Sequence, residues 1–116
     1  EALSRTNDFF GISTEEFCVV ESNNKLKHHW YIGSNQRVKD VQKYTAILDK
    51  ILEDINDDYK TQRKYNLGVP QLTFLPLQKF YEYMGVEGKA GGQHKFPRVL
   101  NRDQAFDWEV FLSRFF

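Results

Sequence analysis

The chain has 116 residues, of which 41% are apolar and 16% aromatic, and this is enough to build the core of one domain. Sixteen basic residues balance sixteen acidic ones, so the sequence lacks the basic field of a general nucleic-acid or membrane-surface binder. Its single cysteine excludes an internal disulfide and favours a reducing, cytoplasmic location.

The first third of the chain predicts a short helix followed by a β-hairpin. Residues 1–10 carry a short helical pattern, and Gly11 is a natural stop after it. Residues 17–20 and 27–32 are β-prone and are separated by turn-forming residues. We therefore expect two antiparallel strands that are joined by a turn.

Residues 36–66 contain no proline or glycine and predict one long amphipathic helix. Its apolar positions are spaced by three and four residues, so they form a stripe that should cover one face of the sheet. Acidic residues between positions 53 and 58 predict a solvated face. Tyr59 and Arg63 are one turn apart and are expected to fix the end of the helix.

The second half predicts a third strand and two further helices. Pro70 cannot donate to a β-ladder, so it should start a strand over residues 71–75. A short helix should end at Gly85, and Asn101 should cap a last helix whose aromatic stripe belongs to the core. The predicted fold class is α+β, with a small sheet of three or four strands, a long crossover helix and flanking helices. We expect residues 1–116 to form a single domain.

The segment 85–98 is the candidate functional region. It holds four of the seven glycines together with three cationic side chains, Lys89, Lys95 and Arg98. Flexible backbone with clustered cations suits the binding of phosphate or carboxylate, although a solvated surface loop explains the same residues. A phosphate-binding P-loop is excluded, because Ala90 after Gly88-Lys89 has no hydroxyl for magnesium.

Other chemistries have less support in the sequence. Cys18 lies in an apolar run and has no cationic sequence neighbour, so it should be a buried side chain and not a nucleophile. His28 and His29 are adjacent and would point to opposite faces of a strand, so they cannot hold one metal ion together. We therefore expect no metal site. What remains is a loop lysine that acts on a site supplied by another domain.

The run from Gly88 to Leu100, with its Gly-Gln-x-Lys-x-Pro-Arg element, resembles the C-terminal signature of the Gretchen Hagen family. These proteins are auxin-responsive acyl acid amido synthetases and their bacterial relatives, and the bacterial type looks closest. Further similarity extends over roughly residues 1–112. The resemblance implies the small, mobile C-terminal lid domain of a larger adenylate-forming enzyme. The chain begins without Met and ends on two Phe, which fits a piece of a longer protein.

Such enzymes use ATP and Mg²⁺ to activate a carboxylic acid as an acyl-adenylate and then pass the acyl group to an amine. The resemblance implies that Lys95 is the catalytic lysine, with Lys89 as the second candidate. It also implies that ligand-binding and hinge positions surround the lysine; these are Gln93 and Arg98, and Gly88, Gly91, Gly92 and Pro97 respectively. The partner would be the N-terminal nucleotide- and acid-binding domain, and this domain alone would bind no cofactor.

Two other function classes stay open from the residues. One is a non-catalytic protein-interaction module that docks through its aromatic residues. The other is single-stranded nucleic-acid binding through aromatics and the basic loop, which the zero net charge disfavours.

Overall fold

The computed structural model describes residues 1–14, 16–22, 26–86 and 97–114. The helices of these ranges are α1 (Ala2–Phe10), α2 (Val41–Ile55), α3 (Asp57–Tyr65), α4 (Leu77–Val86) and α5 (Arg102–Ser113). The strands are β1 (Glu16–Glu21), β2 (His28–Gly33), β3 (Gln71–Leu75) and β4 (Val99–Leu100). Among the described helices, none is both long and apolar enough to cross a membrane.

The four strands form one mixed sheet in the order β3-β2-β1-β4. β1 and β2 are antiparallel, with Phe17 opposite Ile32, which confirms the predicted hairpin. β3 runs parallel to β2, so the helical segment between them is a crossover, as predicted. β4 runs parallel to β1 and supplies a fourth strand, with Val19 opposite Val99. The α+β class and the small sheet with its crossover are confirmed.

Alternation along the strands divides the core into two layers. Phe17 and Val19 face α1 and α2, whereas Cys18 and Val20 face α4 and α5, because successive side chains of a strand point to opposite faces. Both faces of the sheet are therefore covered by helices. The α1–α2 side buries Ala2, Leu3, Val19, Trp30, Ile32, Tyr44 and Leu48. The other side is rich in aromatic side chains and centres on Trp108, which is fully buried among Tyr31, Phe80, Tyr83 and Phe111.

The prediction of one helix over residues 36–66 is wrong in its bounds. The helical segment starts only at Val41, where the Asp40 carboxylate accepts a hydrogen bond from the Lys43 amide at 3.0 Å. It is then interrupted at Asn56, whose backbone is extended (φ −141°, ψ 107°). The Asn56 side chain accepts from the Tyr59 amide at 3.0 Å and caps α3. Asparagine competes with helix hydrogen bonds through its own side chain, so it starts a new helix here although the apolar spacing continues.

A partly buried polar cluster holds α3 against α2. Asp49 accepts hydrogen bonds from the Tyr59 hydroxyl (2.5 Å) and from two guanidinium nitrogens of Arg63 (2.9 Å each). Arg63 also donates to the carbonyl of Leu67 at 2.8 Å, beyond the end of α3. Arg63 therefore fixes the end of α3 as predicted, whereas Tyr59 lies in the first turn of α3 and joins it to α2. Asp49 is the partner that the sequence pattern did not identify. Burial alone would raise the pKa of Asp49, but the hydrogen bonds from Arg63 and Tyr59 and the charge of Arg63 outweigh burial and lower it.

The C-terminal elements agree with the sequence except in two details. α4 continues through Gly85 to Val86, so glycine does not end it. α5 begins at a complete capping box in which Asn101 and Gln104 bond each other's backbone amides at 2.9 and 3.0 Å, as the predicted cap requires. Trp108 and Phe111 lie in the core as predicted, whereas the side chain of Phe106 is 68% exposed.

We expect Leu48→Asp to unfold the domain. Leu48 is fully buried between α2 and the sheet, and the substitution would remove apolar packing and bury a charge that has no partner. The cost should be about 4 kcal/mol or more, a large part of the stability of a small domain. Circular dichroism and thermal unfolding measure this. The matched control is Ala46→Asp, two residues earlier on the exposed side of α2, which should change stability by about 0.5 kcal/mol at most. A folded Leu48→Asp protein would contradict this placement of α2.

We expect Asp49→Asn to lower the free energy of unfolding at pH 7 by about 1.5–3 kcal/mol, because Tyr59 and Arg63 lose a charged acceptor. The folded-state pKa of Asp49 lies below its ordinary value. Its contribution is therefore complete above the unfolded pKa and disappears as the pH falls through the folded pKa. The difference between the two proteins in urea unfolding should shrink below about pH 4. Asp54→Asn, at an exposed pair with Lys50, is the control and should show no such difference. An equal difference at pH 7 and pH 3 would contradict this.

Candidate functional site

The predicted site residues divide into two groups. Lys89, Lys95 and Gln93 lie outside the described residues, as do Gly88, Gly91 and Gly92. The glycines also predict a poorly ordered loop between Gly85 and Gln93, and its residues beyond Val86 lie outside the described ranges. Pro97 and Arg98 are described and lead directly into β4. The part of the candidate site that can be described is therefore the junction between the glycine-rich segment and the sheet.

The backbone of Arg98 fixes this junction to β1. The carbonyl oxygen of Arg98 accepts a hydrogen bond from the amide of Val19 at 2.7 Å. The next residue, Val99, is paired with Val19 in the parallel ladder, and Leu100 enters the core beside α5. Since β1 lies inside the sheet, the segment that follows the predicted lysine is attached to a buried part of the molecule.

The side chain of Arg98 makes three contacts with the beginning of β1. Its Nη1 donates to a carboxylate oxygen of Glu16 at 3.0 Å and to the carbonyl of Phe17 at 3.2 Å. Its guanidinium carbon lies 4.6 Å from the centre of the Phe17 ring. The Phe17 ring in turn stacks on Trp30, with centroids 5.7 Å apart. The Arg98 side chain remains 46% exposed, whereas that of Glu16 is 18% exposed.

A groove of about 370 Å³ runs from Arg98 along α1. Its lining includes acidic, amide and hydroxyl groups, among them Glu1, Asp8, Asn7 and Thr14. Asn7 is engaged in the fold, since it accepts from the Tyr44 hydroxyl at 2.6 Å and donates to Thr14 at 3.0 Å. The groove offers a guanidinium and hydroxyls for hydrogen bonding. In the described part of the chain, no group of three or more His, Cys, Asp and Glu side chains is placed to hold a metal ion.

Cys18 is fully buried, as predicted, and burial raises the pKa of its thiol to about 12. The sequence offered no cationic neighbour, but the fold brings Arg98 close enough to oppose this rise in pKa; burial still prevails. Cys18 is therefore a packing residue and not an activated nucleophile.

His29 forms a hydrogen bond with the Thr73 hydroxyl through Nε2 at 2.7 Å, and its ring stacks on Tyr31. Burial lowers the pKa of His29.

Sequence reasoning missed Glu16 and Phe17 as part of this region. They are about 80 residues away from Arg98, and nothing in the run 16–20 distinguishes an anchoring acidic residue from a solvated one. One feature of the sequence could have indicated the role of Glu16. It directly precedes a β-prone apolar run, and at the start of a strand its side chain can reach a neighbouring strand.

A family model described as the GH3 family C-terminal domain matches residues 1–104. The match covers most of the chain, so the chain belongs to this family, and the resemblance to the Gretchen Hagen family is confirmed at that level. The matched region includes the glycine-rich segment and β4 and ends inside α5. No curated protein matches the chain.

Two solved structures share the fold. A structure described as GH3.15 acyl acid amido synthetase superposes with a TM-score of 0.66 at 18% identity. A second, described as AtGH3.15 acyl acid amido synthetase in complex with 2,4-DB, gives a TM-score of 0.59 at 17% identity. In both cases the alignment covers 94% of this chain and 22% of the other, so the chain spans about a fifth of the length of these synthetases.

We expect the Cys18 thiol to be unreactive in the native protein. Its raised pKa leaves almost no thiolate at pH 8, and the side chain is fully buried. Labelling by a coloured disulfide reagent should be at least about 100-fold slower than in urea, where the thiol is exposed and its pKa is about 8.5. Equal rates in the native and unfolded protein would contradict the burial of Cys18.

Proposed function

We propose that this chain is the mobile C-terminal domain of an ATP-dependent ligase that forms an acyl-adenylate and conjugates a carboxylic acid to an amine or amino acid. The observation that carries the proposal is the family match over residues 1–104. The likeness of the fold to two structures described as acyl acid amido synthetases supports it. The bacterial type and the cytoplasmic location belong to the same proposal and rest on the sequence.

In this proposal a partner domain provides the other binding sites of the enzyme. The chain corresponds to 22% of each related synthetase, and an N-terminal domain would bind the nucleotide and the acid. ATP, bound there with Mg²⁺, supplies the adenylyl group that the acid takes up as pyrophosphate leaves. What this chain contributes is cationic side chains near the junction of the glycine-rich segment with β4.

We assign the central role to Lys95. An ammonium group aimed at the charge that develops during adenylate formation stabilises the transition state. Lys95 lies three residues before Arg98, whose backbone and side chain are attached to β1. Gln93 and Arg98 would contact the bound adenylate. The glycines at 88, 91 and 92, with Pro97, would let the lysine approach and withdraw between the two half-reactions.

A second candidate function is a protein-interaction module, and one observation favours it. Phe106 and Val110 lie one turn apart on α5 and are 68% and 41% exposed, and Val99 on the edge strand is 60% exposed. Exposed apolar residues that are grouped in this way are typical of docking surfaces. Such a module would bind a protein tightly without nucleotide, whereas the ligase domain would act with ATP on its own N-terminal domain.

We expect Lys95→Ala in the full-length protein to lower the rate of adenylate formation by about 100-fold or more, the usual range for a group that stabilises transition-state charge. ATP–pyrophosphate exchange measures the step. Carboxylic acids are screened first on the wild-type protein; 2,4-DB, which the related synthetase binds, is included as a probe. Thermal unfolding should be unchanged, since the substitution removes a charge from a glycine-rich segment.

Lys89→Ala is the matched control, because it removes an equal charge from the same segment. It should reduce exchange by less than about threefold. Normal exchange in Lys95→Ala would refute the assignment of Lys95, and a large loss in Lys89→Ala alone would transfer the role to Lys89.

A further inference from the structure

We infer that Glu16 is a positioning residue of the proposed ligase, which holds Arg98 and thereby fixes the end of the segment that carries Lys95. The inference rests on the proposed function for its catalytic meaning. Its structural content, the attachment of Arg98 to the start of β1, rests on the contacts of Glu16, Phe17 and Arg98 alone.

The contact between Glu16 and Arg98 is built from two elements far apart in the sequence. Glu16 begins β1, and Arg98 immediately precedes β4. Their ion pair has an N–O distance of 3.0 Å, and the Glu16 side chain is mostly buried. A partly buried pair is screened less by solvent than a fully exposed one, so it holds its geometry better.

Phe17 gives the guanidinium a fixed surface. The ring lies 4.6 Å from the guanidinium carbon and stacks on Trp30, which belongs to the core on the α1–α2 side. The Phe17 carbonyl accepts from the same nitrogen that contacts Glu16. The carboxylate, the ring and the carbonyl therefore hold the Arg98 side chain through three contacts.

Glu16 is the carboxylate that contacts Arg98, although other carboxylates line the groove beside Arg98. Glu1 and Asp8 lie along it, but Glu1 is paired with Arg5 one turn further along α1. The structure shows no contact from either of them to Arg98. The Cys18 thiol nearby is neutral at ordinary pH, because burial raises its pKa to about 12.

The covalent tether from Arg98 to Lys95 is short. Two residues, Phe96 and Pro97, separate them in the sequence. Three peptide units span at most about 11 Å. Covalent geometry therefore keeps the backbone of Lys95 within this distance of Arg98. The glycines lie on the other side of the lysine in the sequence.

The test is Glu16→Gln in the full-length protein, which keeps the size of the side chain and removes its charge. Hydrogen–deuterium exchange of the Val19 amide, which donates to the Arg98 carbonyl, should become about fivefold faster. Pyrophosphate exchange should show a kcat about fivefold lower with an unchanged KM for ATP. Fivefold is the effect of an ion pair worth about 1 kcal/mol. Amide formation from a supplied acyl-adenylate should keep its rate, because that step does not use the lysine.

Asp54→Asn is the matched control. It removes a carboxylate from an ion pair of similar length, 3.1 Å to Lys50, on the exposed side of α2. Neither the exchange of the Val19 amide nor the kcat should change. An effect as large as that of Glu16→Gln would show a general response to lost charge and would overturn the inference.

Three further outcomes separate this inference from the proposed function. Unchanged exchange of the Val19 amide in Glu16→Gln overturns the positioning role by itself, without any substrate. If Lys95→Ala abolishes adenylate formation while Glu16→Gln leaves kcat unchanged, the ligase proposal stands and only the role of Glu16 fails. If Lys95→Ala is fully active, the assignment of Lys95 fails, while faster hydrogen–deuterium exchange of the Val19 amide in Glu16→Gln would still support the attachment of Arg98 to β1.

Discussion

The structure depends on the double burial of β1. This strand pairs antiparallel with β2 on one side and parallel with β4 on the other, and it sends Val19 to one helical layer and Cys18 and Val20 to the other. An internal strand that is covered on both faces must be apolar at every central position, and Cys18, Val19 and Val20 are all buried. A polar residue at any of these positions would lose its hydration without gaining a partner. Both helical layers and the attachment of β4 depend on this run.

The candidate site uses this internal strand as its support. β4 has two residues and could not form a stable edge strand alone, but the Val19 amide and the Glu16 and Phe17 groups hold the residue before it. The residue at which the glycine-rich segment joins the sheet is in this way attached to an internal strand. Such an attachment would place a catalytic group accurately. A catalytic group acts over distances of about 3 Å, and a displacement of about 1 Å lowers the reaction rate.

Sequence and structure agree where neighbouring residues decide the outcome. The hairpin, β3 and the N-terminal cap of α5 follow from turn residues, from Pro70 and from Asn101. They differ where distant groups compete. Apolar spacing continues through Asn56 and predicts an unbroken helix, but the capping power of Asn56 and the bonds of Asp49 to Arg63 and Tyr59 turn the chain into two helices. An acidic residue in a charged stretch gives no sign of which cation it will meet.

By itself, the sequence determined the α+β class, the crossover, the burial of Cys18 and the membership of the Gretchen Hagen family, because these depend on local periodicity and on a contiguous motif. The tertiary structure alone decided what surrounds the motif. Glu16 and Arg98 are 82 residues apart and meet because β4 joins the sheet beside β1, a pairing of only two residues that leaves no periodic trace. Local patterns record which residues are buried. The identity of a polar side chain's partner is set by strand order, and strand order is a property of the whole fold.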